Sequence, residues 1–190
     1  MTGGARPRWG GDEVPRPPDP PELYLAGNRA RPEEVTLQPM SPPAVAILAA
    51  GHFDAYVLER VRAGESLDQA RQVARQQWEL YLPGGRPAPG HRYHRVLEAG
   101  RAVGWLWIGP SPLDREGAEW IFNLQIDEPE QGRGLGRLAL ALAEADARDH
   151  GASELGLNVF GHNEVALRLY ESAGFQAASI NMVKTLAEEP

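Results

Sequence analysis

One stretch constrains this chain more than any other. Between residues 120 and 150 a nearly continuous apolar run, WIFNLQI, passes through DEPEQGRGLGR into an Ala- and Leu-rich segment. The apolar run, Trp120 to Ile126, reads as a strand covered on both faces. The segment from Leu135 to His150 reads as a helix, with Leu135, Leu138, Leu142 and Ala145 on one side and Gly151 ending it. Between them Gly132, Gly134 and Gly136 remove β-carbons where the chain turns sharply into the helix. Successive backbone N–H groups can then converge on one point, and the helix N-terminus adds partial positive charge. Such a turn is a receptor for an anion about the size of a pyrophosphate, with Arg133 and Arg137 as two further charges. The same glycines also suit a turn that only lets a helix pack closely on a strand, and the turn alone does not separate the two readings. No Gly-Lys-Ser/Thr follows, and the spacing is G-x-G-x-G rather than G-x-G-x-x-G, so the two common nucleotide motifs are missing.

The remaining pattern supplies the order of elements. Val35 to Met40 alternates as a strand, and Pro42 and Pro43 end it and open a helix. Ala44 to Ala63 carries Val45, Leu48, Phe53, Val57 and Val61 as a helical stripe, with Gly51 inside it as a candidate break. Ser66 caps a second helix whose Leu67, Ala70, Ala74, Trp78 and Tyr81 share one face, and Pro83, Gly84 and Gly85 stop it. His91 to Leu97 and Ala102 to Ile108 are spaced as a hairpin. After a polar loop from Gly109 to Gly117 and the apolar strand and helix already described, Glu154 to Phe160 reads as a strand. Glu164 to Ala173 reads as a helix closed by Gly174, and Gln176 to Leu186 as a last strand. No internal repeat is visible. This β-α-α-β-β-β-α-β-α-β order gives a mixed α/β sheet with helices on both sides, not the alternation of a doubly wound nicotinamide fold.

Composition narrows the function. Ten of the 17 prolines lie in the first 43 residues, so residues 1–34 form a proline-rich lead, extended or mobile, and one domain is expected over 35–187. Leu23, Tyr24 and Leu25 are the lead's one apolar cluster, able to dock or to stay solvated. A net charge of -7 argues against a general nucleic-acid surface. The absence of cysteine excludes disulfides, thiolate metal sites and a cysteine nucleophile, and makes the cytoplasm the default. No run approaches the roughly 20 apolar residues of a membrane span, and the first residues lack a signal-peptide core.

QGRGLG, placed directly after the buried strand, resembles the Q/R-x-x-G-x-G/A signature of the GNAT superfamily of acetyl-CoA-dependent N-acetyltransferases. A second match is NEVALRLYESAGF, in which Asn163, Ala166, Leu169, Tyr170, Glu171, Gly174 and Phe175 fit the family's last-helix motif. The resemblance covers roughly Val35 to Leu186. It implies a mostly antiparallel sheet with two central parallel strands, here Trp120 to Ile126 and Glu154 to Phe160, that splay at their C-terminal ends. Acetyl-CoA, as acyl donor and without a metal, would pair its pantetheine amides with Leu124, Gln125 and Ile126 in the manner of an added strand. Its pyrophosphate would rest on Gln131, Gly132, Arg133, Gly134, Leu135, Gly136 and Arg137, while Asn163, Ala166 and Tyr170 contact it from the last helix. A backbone N–H near Ile126 would polarise the thioester carbonyl. Tyr170 would protonate the departing thiolate as general acid, since a phenol titrates near pH 10; on spacing alone it is equally a core aromatic. Asn163 doubles as a helix N-cap.

The general base is less legible. Histone acetyltransferases of the superfamily use a glutamate at a position held here by Trp120. Glu119 is adjacent, a weak candidate that points to the other face unless a bulge resets the register. Ribosomal-protein N-terminal acetyltransferases place a glutamate where this chain has Asn158, which accepts no proton but can orient a water or substrate. His162 is a further candidate, in a turn where a lone histidine is more often just solvated. A water chain is the default base, and the loss of the glutamate at Asn158 argues against a protein N-terminus as acceptor. The expected acceptor is a small-molecule amine, enclosed by the helices over Ala44 to Leu82, the loop Gly109 to Gly117 and the end of the last strand. Trp78, Tyr81, Trp105, Trp107 and Trp120 supply aromatic surface there, with Asp127 or Glu128 as the carboxylate. The competing readings are a catalytically weak acyl-CoA-binding or sensing module, a protein N-acetyltransferase and a nucleotide-binding protein. The chain is expected as a monomer or homodimer, away from nucleic acid and membrane.

Overall fold

The computed structural model describes residues 30–184; the proline-rich lead up to residue 29, with its Leu23, Tyr24 and Leu25 cluster, lies outside the described residues. The described chain is in the core from the start, because Ala30 is buried among Val35, Leu135 and Leu138 and its N–H donates to the Arg133 carbonyl.

β1 (Val35–Pro39) leads into α1 (Pro42–Arg62). Gly51 does not split this helix. A glycine in a helix interior costs about 1 kcal/mol, less than the ~1.5 to 3 kcal/mol gained by burying a single valine, and Val45 and Val57 are both buried on this helix. α2 (Leu67–Tyr81) begins at the expected cap: Ser66 accepts from the Gln69 N–H while the Gln69 side chain accepts from the Ser66 N–H. Ala70 and Ala74 let α2 lie close to α1 over Val57, Phe53 and Val61.

β2 (Arg92–Glu98) and β3 (Arg101–Pro110) form the expected hairpin. Ala99 and Gly100 both have positive φ at its tip, as a two-residue turn matched to strand twist requires. β4 (Ala118–Ile126), α3 (Leu135–Asp149), β5 (Glu154–Leu157) and α4 (Glu164–Ser172) complete the described elements. The five strands lie in the order β1-β2-β3-β4-β5, antiparallel except for the parallel β4-β5 pair.

The core falls on the two sides of this sheet. Trp105 and Trp107 of β3 pack with Val45 and Ala49 of α1 and Tyr93 of β2. The intervening Leu106 packs with Leu140 and Ala143 of α3. α4 joins the α3 side through Leu169, Tyr170 and Ala173. Two bulges break the alternation. Val96 pairs with Gly104 and Leu97 with Ala102, leaving Val103 extra; Trp107 pairs with Asn123 and Ile108 with Ile121, leaving Phe122 extra.

Two expectations need correction. Gln176 to Leu186 is not a strand within its described part, up to Lys184, where Ile180, Met182 and Val183 are exposed. β5 is therefore an edge strand among the described residues, not a central one. β4 is also less covered than its apolar run implies: only Ala118, Ile121 and Ile126 are buried. Of the others, Trp120, Phe122, Asn123 and Leu124 border a cleft. No described helix is long and apolar enough to cross a membrane.

Candidate active site

The cleft arises where two strands part. β4 and β5 pair only from Ala118 with Glu154 to Ile121 with Leu157. β4 then runs on to Ile126 while β5 ends, so from Phe122 onward β4 has no strand partner on that side. The Phe122 bulge falls at this divergence and adds local twist. A cavity of about 440 Å³ occupies the gap. Its floor is Trp120, Phe122, Asn123 and Leu124 of β4 with Trp105 and Trp107 of β3. α1 contributes His52, Tyr56, Glu59 and Arg60, and α2 contributes Gln77, Trp78 and Tyr81. Asn158 and Phe160 after β5, with Asn163, Ala166 and Tyr170 of α4, close the other wall.

Beyond Ile126 the chain enters the glycine turn. Gln131 pins its entry, with Nε2 donating to the Ile126 carbonyl at 2.9 Å. Gly132 and Gly134 have φ of 75° and 87°, and nothing lies within 4 Å of the place a β-carbon would take on either. They serve backbone conformation, whereas Gly136 serves packing, since its β-carbon would stand 3.3 Å from Leu169 Cδ2 on α4. Gly132 and Gly134 thus shape the turn, and Gly136 lets α3 pack against α4. The N–H groups of Gly132, Gly134, Leu135 and Gly136 make no backbone hydrogen bond among the described residues, as expected of a helix N-terminus able to receive an anion.

The arginine side chains are placed otherwise than as two open charges. Arg133 makes a two-point ion pair with Glu98 at 2.7 and 2.8 Å and a further one with Glu130 at 2.6 Å. Arg137 donates to the carbonyl and hydroxyl of Ser172 at the end of α4. Arg133's charge is thus compensated, whereas Arg137 makes no ion pair among the described residues and keeps its charge beside the turn.

Tyr170 lines the cleft, its ring 5.8 Å from that of Phe175, and burial raises its hydroxyl above the usual phenol range. It stays protonated and able to donate at neutral pH. Asn163 caps α4, its Oδ1 accepting from the Ala166 N–H at 3.1 Å, and also lines the cavity. Leu124, Asn158 and Ala166 line it too. Ile126 is buried at the end of β4, and Gln125 is exposed, its Oε1 accepting from Trp105 Nε1 at 3.3 Å.

Glu119 is not at the cleft. It takes two hydrogen bonds from Arg92, at 2.8 and 2.6 Å, and Arg92 also donates to Asp146 of α3. The bulge that could have turned it round lies after it, at Phe122, so Glu119 keeps the α3 side while Trp120 faces the cavity. Asp127 and Glu128 do not line the cavity either; its one carboxylate is Glu59, which pairs with His162 Nε2 at 2.8 Å and with Arg62.

His52 and Asn123 escaped the sequence reading. His52 stands edge-on to the Trp105 ring, centroids 5.0 Å apart, and burial lowers its pKa against a smaller opposing effect of the Asn123 amide. Asn123 Nδ2 is buried with no hydrogen-bond partner. Such an unsatisfied donor is costly in a protein interior and marks a place where a ligand can complete the bonding. No group of three or more described His, Asp or Glu side chains is arranged to hold a metal ion.

Known proteins share this arrangement. The family model described as Acetyltransferase (GNAT) family matches residues 54–175. The chain is 36% identical over 133 residues to the uncharacterized N-acetyltransferase YycN of Bacillus subtilis, spanning 69% of this chain and 85% of that protein. The crystal structure of YycN superposes with a TM-score of 0.73, covering 81% of this chain and 99% of that one at 33% identity. A second Bacillus subtilis protein, the uncharacterized N-acetyltransferase YdgE, is 34% identical over 119 residues, 62% of this chain and 76% of its own. The mycothiol acetyltransferase of Thermomonospora curvata is 33% identical over 86 residues, 44% of this chain but 27% of its own length. The mixed sheet, the parting of β4 from β5 and these matches agree: the chain belongs to the GNAT acetyltransferase family.

Proposed function

We propose that the chain moves the acetyl group of acetyl-CoA to the amine of a small molecule, both substrates being bound at once. The observation that carries this reading is the free β4 margin from Phe122 to Ile126, set between an aromatic cleft and a turn with uncommitted N–H groups. A chain of amides laid along Leu124, Gln125 and Ile126 finds unpaired backbone there, and a pyrophosphate at its far end meets the N–H groups of Gly132 to Gly136. The amine nitrogen attacks the thioester carbon, the carbon–sulfur bond breaks, and the Tyr170 hydroxyl supplies the proton taken up by sulfur. No cysteine is present to carry an acetyl group, so direct transfer is expected rather than ping-pong kinetics.

The cleft favours one cationic amine on an apolar body. Trp78, Tyr81, Trp120 and Phe122 offer ring surface and Glu59 one carboxylate, whereas a polycation would need several. Saturating acetyl-CoA should raise the melting temperature, and amine-dependent thiol release should follow. A folded protein that acetyl-CoA does not stabilise would sink the reading. Glu119's commitment to Arg92 favours a second reading, an acyl-CoA-binding module without turnover; stabilisation with no thiol release across a broad amine panel would select it.

A further inference from the structure

We infer that His52 is the base that removes the proton from the acceptor ammonium, an assignment that rests on the acetyl-transfer reading. The cleft holds few groups able to accept a proton near neutrality. Glu59 is engaged by His162 and Arg62, Tyr56 donates to Gln77 and accepts from Arg60, and Tyr81 and Tyr170, raised by burial above the usual phenol range, carry their protons at that pH. Outside the cleft Glu119 is held by Arg92, and His91 Nδ1 already accepts from Trp107 Nε1 at 3.0 Å. His52 differs: no carboxylate or guanidinium bonds to it among the described residues.

Its position is set by the fold. Val45, Ala49, His52 and Tyr56 follow one another at helical spacing along α1, so the face that enters the core with Val45 reaches the cavity at His52. There the imidazole meets Trp105 of β3 and Asn123 of β4, beside the strand segment that has lost its β5 partner. The groups sharing the cavity with it are Tyr56, Glu59 and Arg60 from α1, Tyr81 from α2 and Tyr170 from α4. Burial outweighs the opposing influence of Asn123 and holds the imidazole neutral at pH 7, with a lone pair to offer.

The step balances without a further reagent. An imidazole nitrogen takes one proton from the ammonium, leaving a neutral amine whose lone pair forms the new bond to the acetyl carbon. Sulfur leaves with the thioester electron pair and is protonated by Tyr170. The amine's second proton and the one on His52 go to solvent, from which the Tyr170 phenolate recovers its own, so one proton is released per turnover.

The test uses the full chain, its His52→Gln variant, acetyl-CoA and 2-phenylethylamine as the probe amine. We expect His52→Gln to lower kcat about 100-fold at pH 7.5 and to keep the acetyl-CoA thermal shift. The acid limb of the kcat profile should move toward the titration of the amine itself. Proton–carbon NMR of the histidine rings, with His52 assigned by its loss in the variant, should show an imidazole titrating below 6.5 whose signals shift when acetyl-CoA is added. An unchanged kcat profile in the variant overturns the assignment, as does a His52 resonance indifferent to acetyl-CoA. Neither touches the acetyl-transfer reading, which falls if acetyl-CoA fails to stabilise the wild-type chain or if no amine in a broad panel brings about thiol release.

Discussion

Two sides of the same strand do opposite things with their polar groups. On the α3 side of β4, Arg92 bridges Glu119 and Asp146, so each of these charges has a partner. On the cleft side, Asn123 Nδ2 is buried without a partner, His52 has only an amide beside it, and the strand margin itself is open. Both sides carry residue types that catalysis uses. What separates them is where the unpaired atom sits: the Arg92 network holds strands and helix together and leaves His94 Nδ1 unpaired away from the cavity, whereas Asn123 Nδ2 is left over at the cavity itself, where something from outside can reach it.

This contrast predicts its own tests. Glu119→Gln takes the charge out of a two-point pair and leaves Arg92 with Asp146 as its one carboxylate partner in a mostly buried site, and should cost about 3 kcal/mol of stability in urea unfolding. It should leave acetyl-CoA binding by the folded chain unchanged; a catalytic loss at undiminished stability would break the comparison. Tyr170→Phe should lower kcat about 100-fold, worth about 2.7 kcal/mol in the barrier, with little change in acetyl-CoA affinity. An unchanged turnover removes its role as acid.

The glycines sharpen the comparison at lower energy. Gly134→Ala forces a β-carbon onto a φ of 87° and should cost about 1 kcal/mol, with acetyl-CoA affinity falling further as the turn's N–H groups lose their aim. Gly136→Ala meets only the flexible end of Leu169, so its stability cost should be smaller, and its readout is the packing of α4. If both variants bind acetyl-CoA like wild type, the turn is structural alone.

Acid should also act on stability. Burial lowers the pKa of His52 and His94, and that of His91 to about 4 with help from Arg92. Each of these rings binds its proton more readily in the unfolded chain. Their contribution is therefore complete above about pH 6.5 and is lost as the pH falls toward the folded values. For His91 the loss runs from 6.5 to about 4, at roughly 1 kcal/mol per pH unit at most. Melting temperatures measured from pH 7 to 5 should fall, and His91→Phe should flatten the slope. The smallest effect belongs to the exposed His162 and Glu59 pair, where His162→Ala should change stability by under about 1 kcal/mol.

Much of this was legible in the sequence, for physical reasons that name its gaps. The capping box at Ser66, the hairpin at Ala99 and Gly100 and the glycine turn are local chemistry, written in a few consecutive residues. Tyr170 and Asn163 were reachable because they sit in a motif on one helix. Glu119 was not, since its facing depends on where a bulge falls, and the extra residue at Phe122 is set by pairing with β3. Arg133 was read as an open charge because Glu98, thirty-five positions away, joins it only through the fold. The expected strand over 176–186 forms no ladder in its described part, up to Lys184, because strand pairing depends on a neighbour that local sequence does not supply. His52 left one unread signal: a titratable residue standing in the apolar stripe that begins with Val45 and Ala49.

The contact between α3 and α4 has a mechanical consequence. Gly136 brings Leu169 against the first turn of α3, and Arg137 ties the same turn to Ser172. Tyr170 lies between those two attachment points on α4. The turn proposed to seat the distant phosphates and the phenol proposed to meet the reacting sulfur are thus two marks on one ruler, whose length is set by side-chain packing rather than by a loop. A donor whose arm is longer or shorter than that interval can satisfy one mark only by missing the other.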